Sequence, residues 1–296
     1  MKPSGRILDD LSDQVDEVHV LQARSRKQDS SPPETVDKDG SAFRQYQTAS
    51  ERVRDFYAEQ HAKQTVAFNL AARARFRSAA RARPEMTVWE AMEKLDSMVD
   101  DSDPDTELSQ LMHLVQTAEA MRRDGKPRWM QAAGLVHDVG KLLHFYGAQG
   151  QWDVVGDTFP VGCRFDRRIV FPDSFDANPD SKDPVYSSAL GIYEEGCGLE
   201  NVILSWGHDE YLYHVLKDQS RLPPEALAMI RFHSFYAWHT EGAYRHLMAE
   251  EDHKLLAAVQ SFNPYDLYSK SDEVPDVEKL KVRKIACNCV RESDSC

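Results

Sequence analysis

The densest chemistry in this sequence lies in Gly134-Leu135-Val136-His137-Asp138-Val139-Gly140-Lys141, where an imidazole and a carboxylate stand side by side in an apolar stretch. Neighbours on a helix point about 100° apart, so each group needs its own polar partner. Burying a His and an Asp unpaired is costly. An isolated His-Asp pair is ordinarily a His bonded to a carbonyl and an Asp paired with an Arg. This pair is not isolated. His113 sits in Leu111-Met112-His113-Leu114-Val115, and His208 follows a Gly in Ser205-Trp206-Gly207-His208-Asp209-Glu210. His233 is embedded in Ile230-Arg231-Phe232-His233-Ser234-Phe235, and Asp266 lies between aromatic residues and Leu in Asn263-Pro264-Tyr265-Asp266-Leu267-Tyr268. Four imidazoles and two carboxylates without a thiolate suit iron, manganese or zinc. A metal, or two metals flanking the helix, would remove the cost of burying them.

The elements that must bring these residues together read as helices. Residues 51–82 are rich in Ala, Arg, Gln and Glu with no internal Gly or Pro, which favours one helix. Thr87-Val88-Trp89-Glu90 reads as a capping box, followed by Val88, Met92, Leu95 and Val99 as an apolar stripe. An acidic turn at 100–105 ends that helix. Further helical stretches are expected at 108–123, 128–145, 186–193, 201–217, 224–240 and 253–262, with Pro223-Pro224 suited to a helix start. Between 147 and 178, Gly, Pro and Asp are frequent, and only Arg168-Ile169-Val170-Phe171 resembles a strand. The expectation is a mainly α bundle, a single domain over 41–296 with an irregular central segment and minor β. Residues 1–40 are too polar to offset the entropy of ordering them and read as a flexible N-terminal arm.

Composition narrows the function classes. The 296 residues are 41% hydrophobic and 29% charged, and no apolar run approaches the ~18 residues of a membrane span. The first twenty residues carry five acids and no apolar block, unlike a signal peptide. Lys and Arg number 36 against 49 Asp and Glu, a net charge of −13 that disfavours general nucleic-acid binding. The cysteines Cys163, Cys197, Cys287, Cys289 and Cys296 are odd in number and form no CxxC, against a disulfide framework or zinc ribbon. A reducing cytoplasm fits. Cys287-Asn288-Cys289 has no partner pair nearby and reads as tail. The arginines between 73 and 83 read as a solvated or salt-bridged face. Signatures for dinucleotides, P-loops, zincins and nucleophile elbows are missing. His19, His61, His144, His214, His246 and His253 fit no further ligand pattern, His19 and His61 lying in or near the polar N-terminal part. His239 is the remaining imidazole best placed to support the set.

The order of these residues, a His, a His-Asp pair, two further His and a late Asp, resembles the HD-domain signature. More specifically, AFRQY, VDDSDPD, QTAEA, GLVHDVGK, VVGDTFPVGC, LSWGHDEYLY, MIRFHSFYAWHT and DLYSK resemble myo-inositol oxygenase from about residue 43 to 270. The His-Asp pattern is shared with many phosphohydrolases, whereas VVGDTFPVGC and LSWGHDEYLY are far more specific. The resemblance implies an HD-domain-like helical bundle holding two iron ions, Fe(II) and Fe(III), with O2 as co-substrate. One iron would take His113, His137, Asp138 and Asp266; the other would take Asp138 as a bridge, His208 and His233. With roughly six ligands per ion, two places on the first iron remain for adjacent hydroxyls. The second keeps room for a bridging oxygen and for dioxygen.

By the same resemblance Asp138 and Lys141 are catalytic. Arg44, Asp100, Asp101, Ser102, Lys141, Gly156, Asp157, His233, Ser234 and Lys270 would surround the substrate. On a continuous helix Lys141, four residues after His137, shares its face. The implied reaction is a four-electron ring cleavage of myo-inositol to D-glucuronate in inositol catabolism, by a cytoplasmic monomer without nucleic-acid or membrane partners. Two alternatives are an HD-domain metal-dependent phosphohydrolase with a two-metal hydroxide nucleophile and a non-catalytic scaffold. Against the first, no basic cluster beyond Lys141 follows the His-Asp pair.

Overall fold

Ser50 opens the first helix, its hydroxyl accepting from the Val53 amide, in a computed structural model that describes residues 46, 49–78, 84–103 and 109–268. The helices are α1 (Glu51–Lys63), α2 (Val66–Ser78), α3 (Val88–Leu95), α4 (Gln110–Arg123), α5 (Arg128–Val136), α6 (His208–Leu216), α7 (Pro224–Phe232), α8 (Tyr236–His239) and α9 (Asp252–Tyr268). Among the described residues, β structure is limited to one antiparallel bridge, Pro160 to Leu204, so the mainly α expectation holds. No described helix is long and apolar enough to cross a membrane. The arm at 1–40, Arg44, Lys270 and the C-terminal cysteines lie outside the described residues.

Several expected helices are interrupted, each for a local reason. The stretch 51–82 breaks at Gln64-Thr65, because Gln64 gives its side chain to distant backbone. Its amide donates to Trp206 O (2.8 Å), and its carbonyl accepts from Trp206 N (3.1 Å). Tertiary hydrogen bonds here override helix propensity. The Thr87–Glu90 capping box forms as expected. Met92 and Leu95 are fully buried, but α3 ends at Leu95, which leaves Val99 69% exposed and off the stripe. The 128–145 stretch splits at His137-Asp138 into α5 and a 3-10 helix, Val139–Phe145. The 224–240 stretch splits at His233-Ser234-Phe235.

In the central excursion, Arg168–Phe171 is not a strand. The Asp166 carboxylate accepts from Arg168 N, Asp166 O accepts from Ile169 N, and Phe171 adopts a left-handed φ of 46°. Residues 186–193 form turns rather than a helix, since Asp183 captures the amides of Val185 and Tyr186. Side chains of this kind compete with helical hydrogen bonds. Helix α6 starts only at His208, because the preceding residues run alongside the excursion, with Ser205 N donating to Phe159 O. Conversely α9 continues past 262 through Pro264. Burial of Phe262, Tyr265 and Leu267 opposes the ~3 kcal/mol cost of an internal proline. His61, expected in polar surroundings, is fully buried and stacks on Phe175 at 3.9 Å. Burial pushes its imidazole down to about 3.

Three apolar clusters hold these pieces around one polar centre. One gathers Phe159, Phe235, Trp238 and Tyr244 behind the excursion. A second joins Phe56 and Tyr57 of α1 to Met92, Leu95 and Leu114. A third packs α9 residues Phe262 and Tyr265 on Met121 and Met130. Pairwise packing of α4 on α5, α7 on α9 and α6 on both α7 and the 3-10 helix leaves helix ends facing inward.

Candidate metal centre

Those inward-facing ends carry the polar residues. His113 lies in the first turn of α4, His137 follows the last residue of α5, and Asp138 precedes the 3-10 helix. His208 opens α6, His233 follows α7, and Asp266 lies near the end of α9. All six are buried. Three imidazoles are anchored through Nδ1 to a backbone carbonyl: His137 to Gly134 O (2.9 Å), His208 to Val154 O (2.8 Å) and His233 to Ile230 O (3.0 Å). A ring nitrogen bound to a carbonyl must carry hydrogen, which leaves Nε2 of each ring to point inward.

The Nε2 atoms form two sets that meet on Asp138. His113 Nε2 is 3.1 Å from His137 Nε2, and the two are 3.0 and 3.3 Å from Asp266 Oδ1. Both are 3.6 Å from Asp138 Oδ2. His208 and His233 Nε2 are 3.2 Å apart, each 3.3 Å from the other oxygen, Asp138 Oδ1. Octahedral coordination with bonds of about 2.1 Å places neighbouring donors about 3 Å apart. The observed spacings match. Convergent lone pairs at this distance repel unless a cation or a proton lies between them, so the donor set fits metal ions.

The local charge points the same way. Lys141 is the sole Lys or Arg among the described residues lining the cavity, against Asp100, Asp103, Asp138, Asp157 and Asp266. Burial pushes the Asp138 carboxyl up, yet Lys141 and the surrounding imidazoles outweigh it and hold it well below the carboxylate range. Asp266 is held low against burial by the adjacent His113 and His137 imidazoles. Burial opposes the charge on His208, but Asp209 and Asp138 overcome it and push the ring up to about 10, the pull of two carboxylates for a positive charge at Nε2 that a metal ion in place of the proton would also satisfy. Burial likewise opposes the Lys141 ammonium, and Asp100 and Asp138 raise it above its ordinary value. Its Nζ reaches Asp138 Oδ2 at 2.8 Å, Asp100 Oδ2 at 2.9 Å and Gln110 Oε1 at 3.1 Å. Lys141 therefore answers to Asp138, three residues back on a 3-10 turn, and not to His137 on an α-helical face.

Asp100, Ser102, Lys141, Gly156, Asp157, His233 and Ser234 line one cavity with His113, Asp138, His208 and Asp266. Asp101 does not: its carboxylate pairs with Arg52 at 3.1 Å nearer the surface. Gly156 needs its φ of +88°, and a Cβ there would lie 2.6 Å from Phe56 and 2.7 Å from Gln60. Helix α1 fixes this turn, with Gln60 Nε2 donating to Val155 O (3.0 Å) and Tyr57 Oη to the Asp157 carboxylate (3.1 Å). His239 Nε2 meets His233 O at 2.8 Å, steadying the end of α7.

Asp209, which sequence reasoning passed over, is fully buried, with Oδ1 2.8 Å from His208 Nε2 and Oδ2 accepting from Ser234 N and Thr158 Oγ1. A signal was present, since His208-Asp209 repeats the His137-Asp138 pair. Tyr46, Tyr57, Gln110 and Tyr236 also line the cavity without a sequence signal that marked them.

Compared with known proteins, the sequence model of a family described as myo-inositol oxygenase matches residues 50–286. The chain belongs to that family. It is 49% identical over 249 residues to a "Probable inositol oxygenase" of Oryza sativa subsp. japonica, covering 82% of this chain and 80% of the relative. It is 47% identical over 251 residues to the "Inositol oxygenase" of Homo sapiens (83% and 87%) and 45% over 254 residues to that of Danio rerio (84% and 90%). As a member of the myo-inositol oxygenase family, the chain is an oxidoreductase whose His and Asp residues are grouped as a metal site requires.

Proposed function

We propose that this chain, an HD-type bundle over residues 41–296, is a cytoplasmic di-iron oxygenase cleaving the ring of myo-inositol to D-glucuronate. The observation that carries the reading is the division of one carboxylate, Asp138, between two sets of inward-facing nitrogens. His113, His137, Asp138 and Asp266 would hold one iron, and Asp138, His208 and His233 the other. When bound, the two irons, as Fe(II) and Fe(III), supply Lewis acidity toward substrate hydroxyls and the redox capacity to use one dioxygen without an external reductant.

The protein's own groups bind and orient the polyol. An inositol has many hydroxyls and no charge, so its pocket needs both acceptors and donors, which Asp100, Asp157, Ser102 and Ser234 provide. Lys141 keeps its proton at neutral pH because Asp100 and Asp138 raise its pKa against burial. It therefore acts as a donor, favouring the anionic form of a hydroxyl beside it, and not as a base. Arg44 and Lys270 complete the proposed substrate shell from outside the described residues. The buried thiol of Cys163 and the free Cys197 suit a reducing compartment.

A phosphohydrolase on the same pattern would add basic side chains to the metal ions for holding phosphate, and among the described lining residues Lys141 is the one Lys or Arg, against five carboxylates. Iron-loaded protein given myo-inositol should consume O2 and release one uronate per O2. Phosphate release from a phosphorylated control without O2 use, or silence in both assays, overturns the proposal.

A further inference from the structure

Behind the second set of imidazoles lies a fully buried carboxylate held by two arginines. Glu210, in the first turn of α6, accepts from Arg231 Nε on α7, and its other oxygen accepts from Arg73 Nη2 on α2 at 2.6 Å. Arg231 is itself buried, lies 4.6 Å from the Tyr213 ring centre and donates to Leu199 O at 3.4 Å. Arg73 donates to Leu204 O at 3.4 Å. The ion pair thus ties α6 to α7 and both to residues 199–204, which lead into α6.

Its place in the chain is particular. Glu210 is two residues after His208, and Arg231 two residues before His233. The pair joins the two helix ends whose imidazoles stand 3.2 Å apart. His113, His137 and Asp266 come from α4, the end of α5 and α9, which none of the hydrogen bonds named above reaches. Two buried charges and a half-buried third are not the most stable way to pack two helices, since apolar residues of similar volume often do as well or better. A planar guanidinium gripping a carboxylate does, however, fix direction and distance. We propose that Glu210, Arg231 and Arg73 form a clamp of positioning residues that sets the spacing of His208 and His233 and so governs one of the two ions selectively. This rests on the di-iron reading above.

The full chain, stripped of metal and reloaded anaerobically with Fe(II), tests it through iron per chain and the spectrum of the coupled pair. Wild-type protein should take two ions. Glu210→Gln and Arg231→Lys should weaken one ion by about 10–100-fold and the other by no more than about twofold, as for partners that orient a ligand. The coupled signal should disappear while a mononuclear one remains. The apolar double Glu210→Met/Arg231→Met removes both charges together and guards against simple unfolding; in it the second ion should stay weak. Asp252→Asn, which loses a buried carboxylate accepting from Leu199 N and Ala249 N, serves as a control that lowers stability without changing the iron ratio. Loss of both ions in parallel with the melting temperature, or retention of both in the Glu210 and Arg231 variants, overturns the clamp. A wild-type chain that binds only one ion overturns the di-iron reading, and the clamp with it.

Discussion

Gly140 lies between Asp138 and Lys141, and a side chain there should separate the two halves of the centre. A Cβ at this position would fall 2.1 Å from His208 O, 2.8 Å from His208 C and 2.9 Å from Leu212 Cβ, where ordinary contact begins at 3.4 Å. The obstacle is the backbone of α6 and not the flexible tip of a side chain, so either the 3-10 helix or α6 must retreat by about an ångström. Overpacking of this kind costs about 1–3 kcal/mol. At roughly 2–4 °C per kcal/mol for a domain of this size, Gly140→Ala should lower Tm by about 2–12 °C.

The functional effect should be larger than the loss of stability. The displaced atom belongs to His208, whose Nε2 stands 3.3 Å from Asp138 Oδ1, and ligand distances tolerate only about ±0.2 Å. The ion between Asp138, His208 and His233 should weaken by about tenfold or more, while the one on His113, His137 and Asp266 stays. Calorimetry of the chelated and reloaded forms, with iron content across a titration, reads both effects. A Gly140→Ala protein that binds two ions like the wild type and melts within about 1 °C of it would refute the reasoning.

Asp138→Ala removes the carboxylate shared by both sets and should reduce bound iron to traces; full occupancy by elemental analysis would end its bridging role. Lys141→Met should leave both ions in place and raise KM for myo-inositol by about 10–100-fold, the worth of a charged hydrogen bond of ~1.5–3 kcal/mol; unchanged kinetics would remove Lys141 from substrate binding. Burial pushes the Glu210 carboxyl up, but Arg231, His214 and Arg73 outweigh it and hold the carboxyl below its ordinary range. Its stabilising contribution is therefore complete above the unfolded value of about 4.3 and is lost as pH falls toward the folded value. The Tm gap between wild type and Glu210→Gln, corresponding to about 3–5 kcal/mol for a broken buried pair, should be widest at neutral pH and close below about pH 4. A gap that widens on acidification would contradict this.

Much of the fold is legible where the signal is local. The Thr87–Glu90 capping box and the start of α7 at Pro224 follow from a few neighbouring residues. The breaks at Gln64, His137-Asp138 and His233-Ser234 are not legible, because propensity there favours continuing the helix. What stops it is a hydrogen bond to a segment far along the chain or a side chain turned into a shared centre. The same limit explains Arg168–Phe171, where β-branched and aromatic residues suggest a strand but Asp166 closes a turn. At the centre, six scattered residues with ligand chemistry drew attention, and the structure brings their side chains together. Gly140 and Glu210 drew none, since a small residue and an internal acid acquire meaning only from what packs on them. Asp209 forms a second His-Asp pair in the sequence, although only its neighbour His208 fits the ligand pattern.

The distance along the chain between His113 and Asp266 sets when this centre can exist. The two side chains lie 3.0 Å apart, yet about 150 residues separate them, and a ribosome delivers roughly 5–20 residues per second. About eight to thirty seconds of translation must therefore pass before α9 can close on α4. The cavity wall waits too, because the hydrogen bonds from Tyr57 to Asp157 and from Gln64 to Trp206 each span 100 residues or more. A nascent chain thus carries an incomplete set of donor side chains until α9 brings Asp266, and the capacity for oxidative chemistry arrives only with a finished fold around it.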